Sequence, residues 1–290
     1  MNIKISGFAD EICKELDHQL EVVKSLGMEY ICFRGADGKG IALHTLESFQ
    51  EEVAPKLKAE GIKLSSLGSP IGKVFIDDEE GFAKQLVQLE ELCKIANYMD
   101  CAYIRMFSFF IKEDENPYDY TEQVIAKMLK FLEIAEKYQV ILLHENEKDI
   151  YGDIADRCRI IFDRIKSPYF KGAFDFANFV QCDEDTVRAY EMLKDEMVYI
   201  HIKDATYADA KPVPFGTGDG QTVKILSDLI HSGYEGFLTL EPHLAKFGGL
   251  QDLELVEAAK VISKDTGLTG EEGFLVQYYS LQKVLDQIEA

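Results

Sequence analysis

The strongest constraint on how this chain folds is an alternation kept up along most of its length. Short runs of β-branched or aromatic residues occur at 3–8, 30–33, 62–67, 103–107, 140–143, 170–174, 198–202 and 237–240. Between them lie stretches with apolar residues every third or fourth position: Leu16, Leu20 and Val23; Phe82, Leu86, Leu89, Cys93 and Ala96; Ile125, Leu129, Leu132 and Ala135. That spacing is the mark of a helix with one buried face. Strands alternating with helices predict a parallel sheet joined by crossovers. Eight such units in 290 residues leave roughly 36 residues each, the repeat of a single (β/α)8 TIM barrel. A doubly wound sheet is disfavoured, because the first run leads into Phe8-Ala9-Asp10-Glu11 where a glycine-rich turn would be expected. No linker-like stretch divides the chain, so one domain is expected over 1–290. From about residue 271, Phe274, Leu275, Tyr278, Leu281 and Leu285 predict an extra helix. It would pack on the barrel or on a second subunit, which leaves room for a homo-oligomer, dimer or tetramer.

Composition narrows the function. Asp and Glu outnumber Lys and Arg 52 to 31, for a net charge of −21. A field of that sign repels phosphate backbones and anionic lipid, so neither nucleic acid nor a membrane surface is the expected partner. No apolar run reaches the length of a membrane span, and residues 1–6 read as a strand and not a secretory signal. A cytoplasmic location is expected. The six cysteines form no Cys-x-x-Cys pair and read as reduced, buried residues.

In a barrel of this kind the chemistry sits where the strands end at their carboxyl side. The last four runs end in Glu145, Asp175, His201 and Glu241. Strand parity places Ile141, Leu143 and Glu145 on one face, His201 with Lys203 on another, and Thr239 with Glu241 on a third. If those faces point inward, three carboxylates and an imidazole meet at the mouth. Such carboxylates repel one another unless a cation lies between them. A donor set of one nitrogen and several oxygens favours Mn2+, with Mg2+ or Co2+ next and Zn2+ also admissible.

The segments Leu143-His-Glu145-Asn-Glu147, Phe174-Asp175-Phe-Ala-Asn178, His201-Ile-Lys203-Asp204 and Leu240-Glu241-Pro242-His243 resemble the xylose-isomerase-like barrel superfamily. That superfamily holds sugar isomerases, epimerases and AP-endonuclease-type metal barrels. The segments 68–73 and 105–109 are similar to its bacterial sugar phosphate isomerase/epimerase group. The resemblance implies metal ligands at Glu145, Asp175, His201 and Glu241, with the two glutamates moving the proton, and a small carbohydrate as substrate. Two positions depart from the ketose epimerases of the group: Asn178 stands where they carry a substrate-binding His, and Tyr207 where they carry a basic residue.

Further candidates are Lys73, after the third strand, and Arg105, ending the fourth, which suit an anionic or oxygen-rich substrate. Lys203 would support the ligand His from behind. His243 is a reserve acid–base group, and His144 has the parity of the helix-facing side. The segment 68–73 is not a nucleotide loop, since its glycines are too close and Val74 replaces the Ser or Thr. Gly216-Thr-Gly218-Asp219-Gly220 reads first as a flexible turn leading into the next helix, and second as a candidate cradle for a phosphate. The expected activity is metal-dependent isomerisation or epimerisation through an ene-diolate. A lyase that expels a group beta to the carbonyl is the alternative. A phosphodiesterase is opposed by the few histidines and the acidic surface, and a non-catalytic sugar-binding barrel by the complete ligand quartet.

Overall fold

The computed structural model describes residues 3–245 and 267–289. Eight strands form one parallel sheet: β1 (Lys4–Gly7), β2 (Tyr30–Phe33), β3 (Lys63–Ile71), β4 (Tyr103–Met106), β5 (Ile141–Glu145), β6 (Phe170–Asp175), β7 (Met197–Ile202) and β8 (Phe237–Leu240). Their order is β1-β8-β7-β6-β5-β4-β3-β2. β1 and β2 lie side by side without ladder pairing, so the sheet is a nearly closed barrel. All eight expected runs are strands. The largest difference is β3, which continues through Pro70 to Ile71 and loses its regular register to β4 between Leu67 and Ile71, where a proline is tolerated.

Ten helices are described: α1 (Leu16–Ser25), α2 (Leu46–Glu52), α3 (Ala54–Glu60), α4 (Glu79–Tyr98), α5 (Thr121–Tyr138), α6 (Ala155–Arg164), α7 (Phe176–Gln181), α8 (Thr186–Leu193), α9 (Thr222–His231) and α10 (Gly270–Glu289). Local chemistry sets several ends. Thr45 and Ser48 form a reciprocal capping box at α2, and Asp78 accepts the Gly81 amide at α4. The segment 246–266, where an eighth crossover helix is expected, lies outside the described residues. None of the described helices is long and apolar enough to cross a membrane.

The two faces of the strands differ. Outward residues such as Phe33, Ile104, Leu142, Phe174, Ile200 and Leu238 form the main core with the helices. Inward residues form a small aromatic floor, with Tyr199 5.7 Å from Phe237 and 6.0 Å from Tyr103 between ring centroids. Above it, Ser65 bridges the Tyr199 hydroxyl (2.8 Å) and Ser6 (2.6 Å). The ladders then set Asp175 beside His201 and His201 beside Thr239, one step below the mouth.

The tail helix packs on the barrel. Phe274 of α10 sits so close to Gly7 that a Cβ there would overlap its ring. Gln277 donates to the Ile202 carbonyl (2.7 Å) and accepts from the Phe215 amide (3.2 Å).

Candidate active site

Glu145 and Asp175 end β5 and β6, His201 is the penultimate residue of β7, and Glu241 directly follows β8. Ligand atoms from all four lie within 4.8 Å of one another, and every one of these side chains is buried. His201 Nδ1 is 2.9 Å from Glu145 Oε1, 3.2 Å from Glu241 Oε2 and 3.8 Å from Asp175 Oδ2. Its ring is held edge-on between Phe8 and Tyr199. Asn146 fixes β6 by bonding both backbone groups of Asp175, and Asp175 Oδ1 caps α7 through the Asn178 amide (2.9 Å). That leaves Asp175 Oδ2 and Glu241 Oε2 buried, with no hydrogen bond among the described residues. Two orphaned carboxylate oxygens turned toward one imidazole nitrogen are what a divalent cation satisfies, so the donor set fits one.

The electrostatics follow from burial opposed by close partners. Burial pushes Asp175 up to about 6 against the pull of Lys203. It opposes the charged form of Glu241 as well, yet Lys203 and His201 hold that carboxyl well below its usual range. His201 is raised well above the usual histidine value, because Glu145, Asp175 and Glu241 outweigh its burial.

The other expected residues gather around this cluster. Arg105 donates to Glu145 Oε2 at 3.1 Å and lies 3.5 Å from Glu241, with its guanidinium against the rings of Phe8 and Phe107. Lys203 donates to Asn178 Oδ1 at 3.0 Å and stands 3.7 Å from Asp175, while Asn178 reaches Glu145 Oε1 at 3.4 Å. His243 Nε2 lies 3.7 Å from Glu241. Lys73 is turned to Glu147 (3.0 Å) and lies over the Phe107 ring. Glu147 is itself pulled to about 2 by Lys73 and Lys203 despite its burial. His144 faces outward, against Phe162 and Phe170.

Of the two readings of the glycine loop, the turn holds and the phosphate cradle does not. The glycine loop at 216–220 offers no cradle to an outside phosphate, because the amides of Ala205, Gly216, Gly218 and Gly220 bond the Asp204 carboxylate at 2.9–3.0 Å. Gly218 is required there, since a Cβ would collide with Asp204 and the Ala205 carbonyl. An internal anion already fills the site.

Sequence reasoning missed Arg34, Asp10 and Glu11. Arg34 donates to Glu241 Oε1 (3.1 Å), Asp10 Oδ2 (2.7 Å) and Glu11 Oε1 (3.2 Å). Burial raises Glu11 to about 8 against the pull of Arg34, and its Oε2 accepts the His243 amide. The signal was the parity already applied to the later strands: Tyr30, Cys32 and Arg34 alternate along β2, so Arg34 belongs to the inward set.

Comparisons with known proteins bear on the family and the fold. The chain is 25% identical over 136 residues to a probable L-ribulose-5-phosphate 3-epimerase, UlaE, of Mycoplasma pneumoniae; the alignment takes in 47% of this chain and 45% of that one. The chain thus spans about half the length of this curated relative. Among solved structures, a xylose isomerase-like TIM barrel protein of Mycobacterium smegmatis in complex with magnesium has a TM-score of 0.70 at 16% identity, covering 100% of this chain and 98% of that one. The IolI protein, solved with a bound zinc atom, also has a TM-score of 0.70 at 16% identity, covering 98% and 99%. At such identities the structures speak for the fold. Residues 20–264 match the sequence pattern of the xylose isomerase-like TIM barrel, and the chain belongs to that family.

Proposed function

We propose that this protein is a divalent-metal-dependent isomerase or epimerase of a small sugar or sugar derivative, acting by proton transfer beside a carbonyl. The observation that carries the reading is the pair Glu145 and Glu241. They come from β5 and β8, and each has a carboxylate oxygen within 3.2 Å of the same His201 nitrogen. Glu145, Asp175, His201 and Glu241 would hold the cation, Mn2+ first by its donor preferences, with Mg2+, Co2+ or Zn2+ as substitutes. When bound, it supplies Lewis-acid polarisation of the substrate carbonyl, which acidifies the neighbouring C–H.

The chain's own groups do the rest. Arg105 anchors Glu145 through one oxygen, while Arg34 and Arg105 crowd the Oε1 of Glu241. Each glutamate is therefore fixed in angle, as a base facing a carbon acid must be. One removes the proton, leaving an ene-diolate, and the other returns it from the opposite side. Lys203 and Asn178 at the cluster's edge, and Lys73 through its partner Glu147, would position substrate oxygens, and His243 lies within reach of Glu241.

The test is a panel of ketoses and aldoses in deuterated water with added Mn2+. Deuterium should enter a turned-over sugar beside its carbonyl, and chelation should stop the exchange. Turnover without deuterium rejects proton abstraction. A product lighter by one water and absorbing in the ultraviolet assigns the scaffold to lyase chemistry instead.

A further inference from the structure

The four clustered ligands are shut away from solvent, with exposures of 0–2%. A cavity of about 500 Å3 nevertheless reaches their border. It lies between the loop after β1, the small hairpin after β2 (Gly35–Ala36 with Lys39–Gly40) and the end of β3, and Arg34 and Asp10 line it. Arg34 also bonds Glu241, so its guanidinium touches both the cavity and the cluster.

We propose, resting on the epimerase reading above, that this cavity holds the non-reacting part of the substrate and that this part is uncharged. The substrate class is then a glycoside-like sugar derivative, a reacting sugar joined to a neutral ring or chain, and not a sugar phosphate. Three observations carry this. First, much of the wall is backbone and apolar surface: Gly35, Ala36, Gly40, Ile41, Ala42 and Pro70. A wall of that kind suits the faces of a ring more than a dianion.

Second, the two cations deepest in the wall among the described residues, Arg34 and Lys39, are already paired. Arg34 is shared among Asp10, Glu11 and Glu241, and Lys39 is paired with Glu52 at 3.0 Å. Lys14 stands exposed at the rim, where water screens it. Drawing Arg34 to a phosphate would strip two buried carboxylates and a partly buried one of their partner, a costly exchange. Oδ1 of Asp10, meanwhile, is buried and takes no hydrogen bond among the described residues. The negative charge of that carboxylate, at the cavity wall, opposes a phosphate.

Third, the loop after β7, where barrels frequently hold phosphate, is filled by Asp204. On the β3 side, Lys73 is bonded to Glu147. Neither place offers a vacant anion site.

Calorimetric titration of the Mn2+-loaded protein tests this directly. The probes are the phenyl β-glycosides of D-glucose, D-galactose and D-xylose, the three free sugars, and the phosphate esters of those sugars. At least one phenyl glycoside should bind about ten-fold or more tightly than its parent sugar, the scale of a filled apolar pocket. Ala42→Trp and Gly40→Leu should each abolish that gain and leave the parent sugar's affinity unchanged. Both variants should fold: Ala42 is half-exposed, while Gly40 has φ −72° and no heavy atom closer than 4.0 Å to a Cβ placed there. The proposal is overturned if the phosphates bind more tightly than the glycosides, if no glycoside gains, or if the gain survives both substitutions. Binding needs no turnover, so the two readings separate. A glycoside gain without proton exchange in any sugar sinks the epimerase reading, whereas exchange without a glycoside gain sinks this one.

Discussion

The outer and inner faces of the barrel strands are made from alternate residues of the same short segments, and they follow opposite rules. On β5, Leu142 packs into the main core among the helices, while Glu145, three residues on, ends in a cluster of charges. Burial is nearly complete on both faces. Outside, it removes apolar surface from water and stabilises the fold. Inside, it places three carboxylates where each raises the cost of the others, so the interior is a liability to stability that has value through its chemistry. The contrast predicts that substitutions one face apart separate activity from folding.

The largest effect belongs to the inner face. Glu145→Gln or Glu241→Gln should lower kcat by several orders of magnitude while the melting temperature stays near wild type, because the amide fills the space but accepts no proton. Steady-state rates beside melting curves decide it. Near-normal activity in either variant removes that glutamate from the proton transfer.

The outer face should respond in reverse. Leu142→Ala, at a position with 0% exposure, should cost about 2–5 kcal/mol of folding stability through lost burial and a residual cavity. Denaturant titration measures it, and the folded fraction should keep Mn2+ affinity and activity per molecule. A loss of metal affinity at unchanged stability would show that the two faces are not independent.

The smallest effect is a pH dependence arising from histidines outside the barrel interior. Burial lowers His44, packed against Phe33 and Phe49, to about 4, and His144 to about 3. Both pKa values fall on folding, so the unfolded chain takes up protons first as acid is added. The stabilisation from keeping these rings neutral is complete above about pH 6.5 and drains away as pH falls from there, toward about 4 for His44 and about 3 for His144. His144→Leu should flatten part of that slope in melting curves taken between pH 7 and pH 4.5. An unchanged slope would assign the acid sensitivity to the inner face.

The same contrast explains what was legible in the sequence. The outer face repeats with a strand period and a helix period, so the eight strands and the fold class were readable, and so was the inward set Glu145, Asp175, His201 and Glu241. Partnerships across the mouth leave no local pattern. Arg34 and Glu241 are 207 positions apart, and the link between them appears when the sheet closes on itself. What the glycine loop binds was hidden for a similar reason. Its composition suits an anion, but the anion is Asp204, 12–16 residues earlier, brought into the turn by the hairpin between Asp204–Ala205 and Pro212–Val213.

The grip of Gln277 on the Ile202 carbonyl has a consequence for timing. His201 emerges from the ribosome some 75 residues before the side chain that anchors the end of its strand. At about 5–20 residues per second, that separation is roughly 4–15 s of synthesis. During that interval β7 can pair with β6 but lacks this tether; Glu145 and Asp175 precede it in synthesis, whereas Glu241 follows it. The four-residue cluster is therefore complete only once β8 has emerged, and its histidine strand is tethered only when α10 docks.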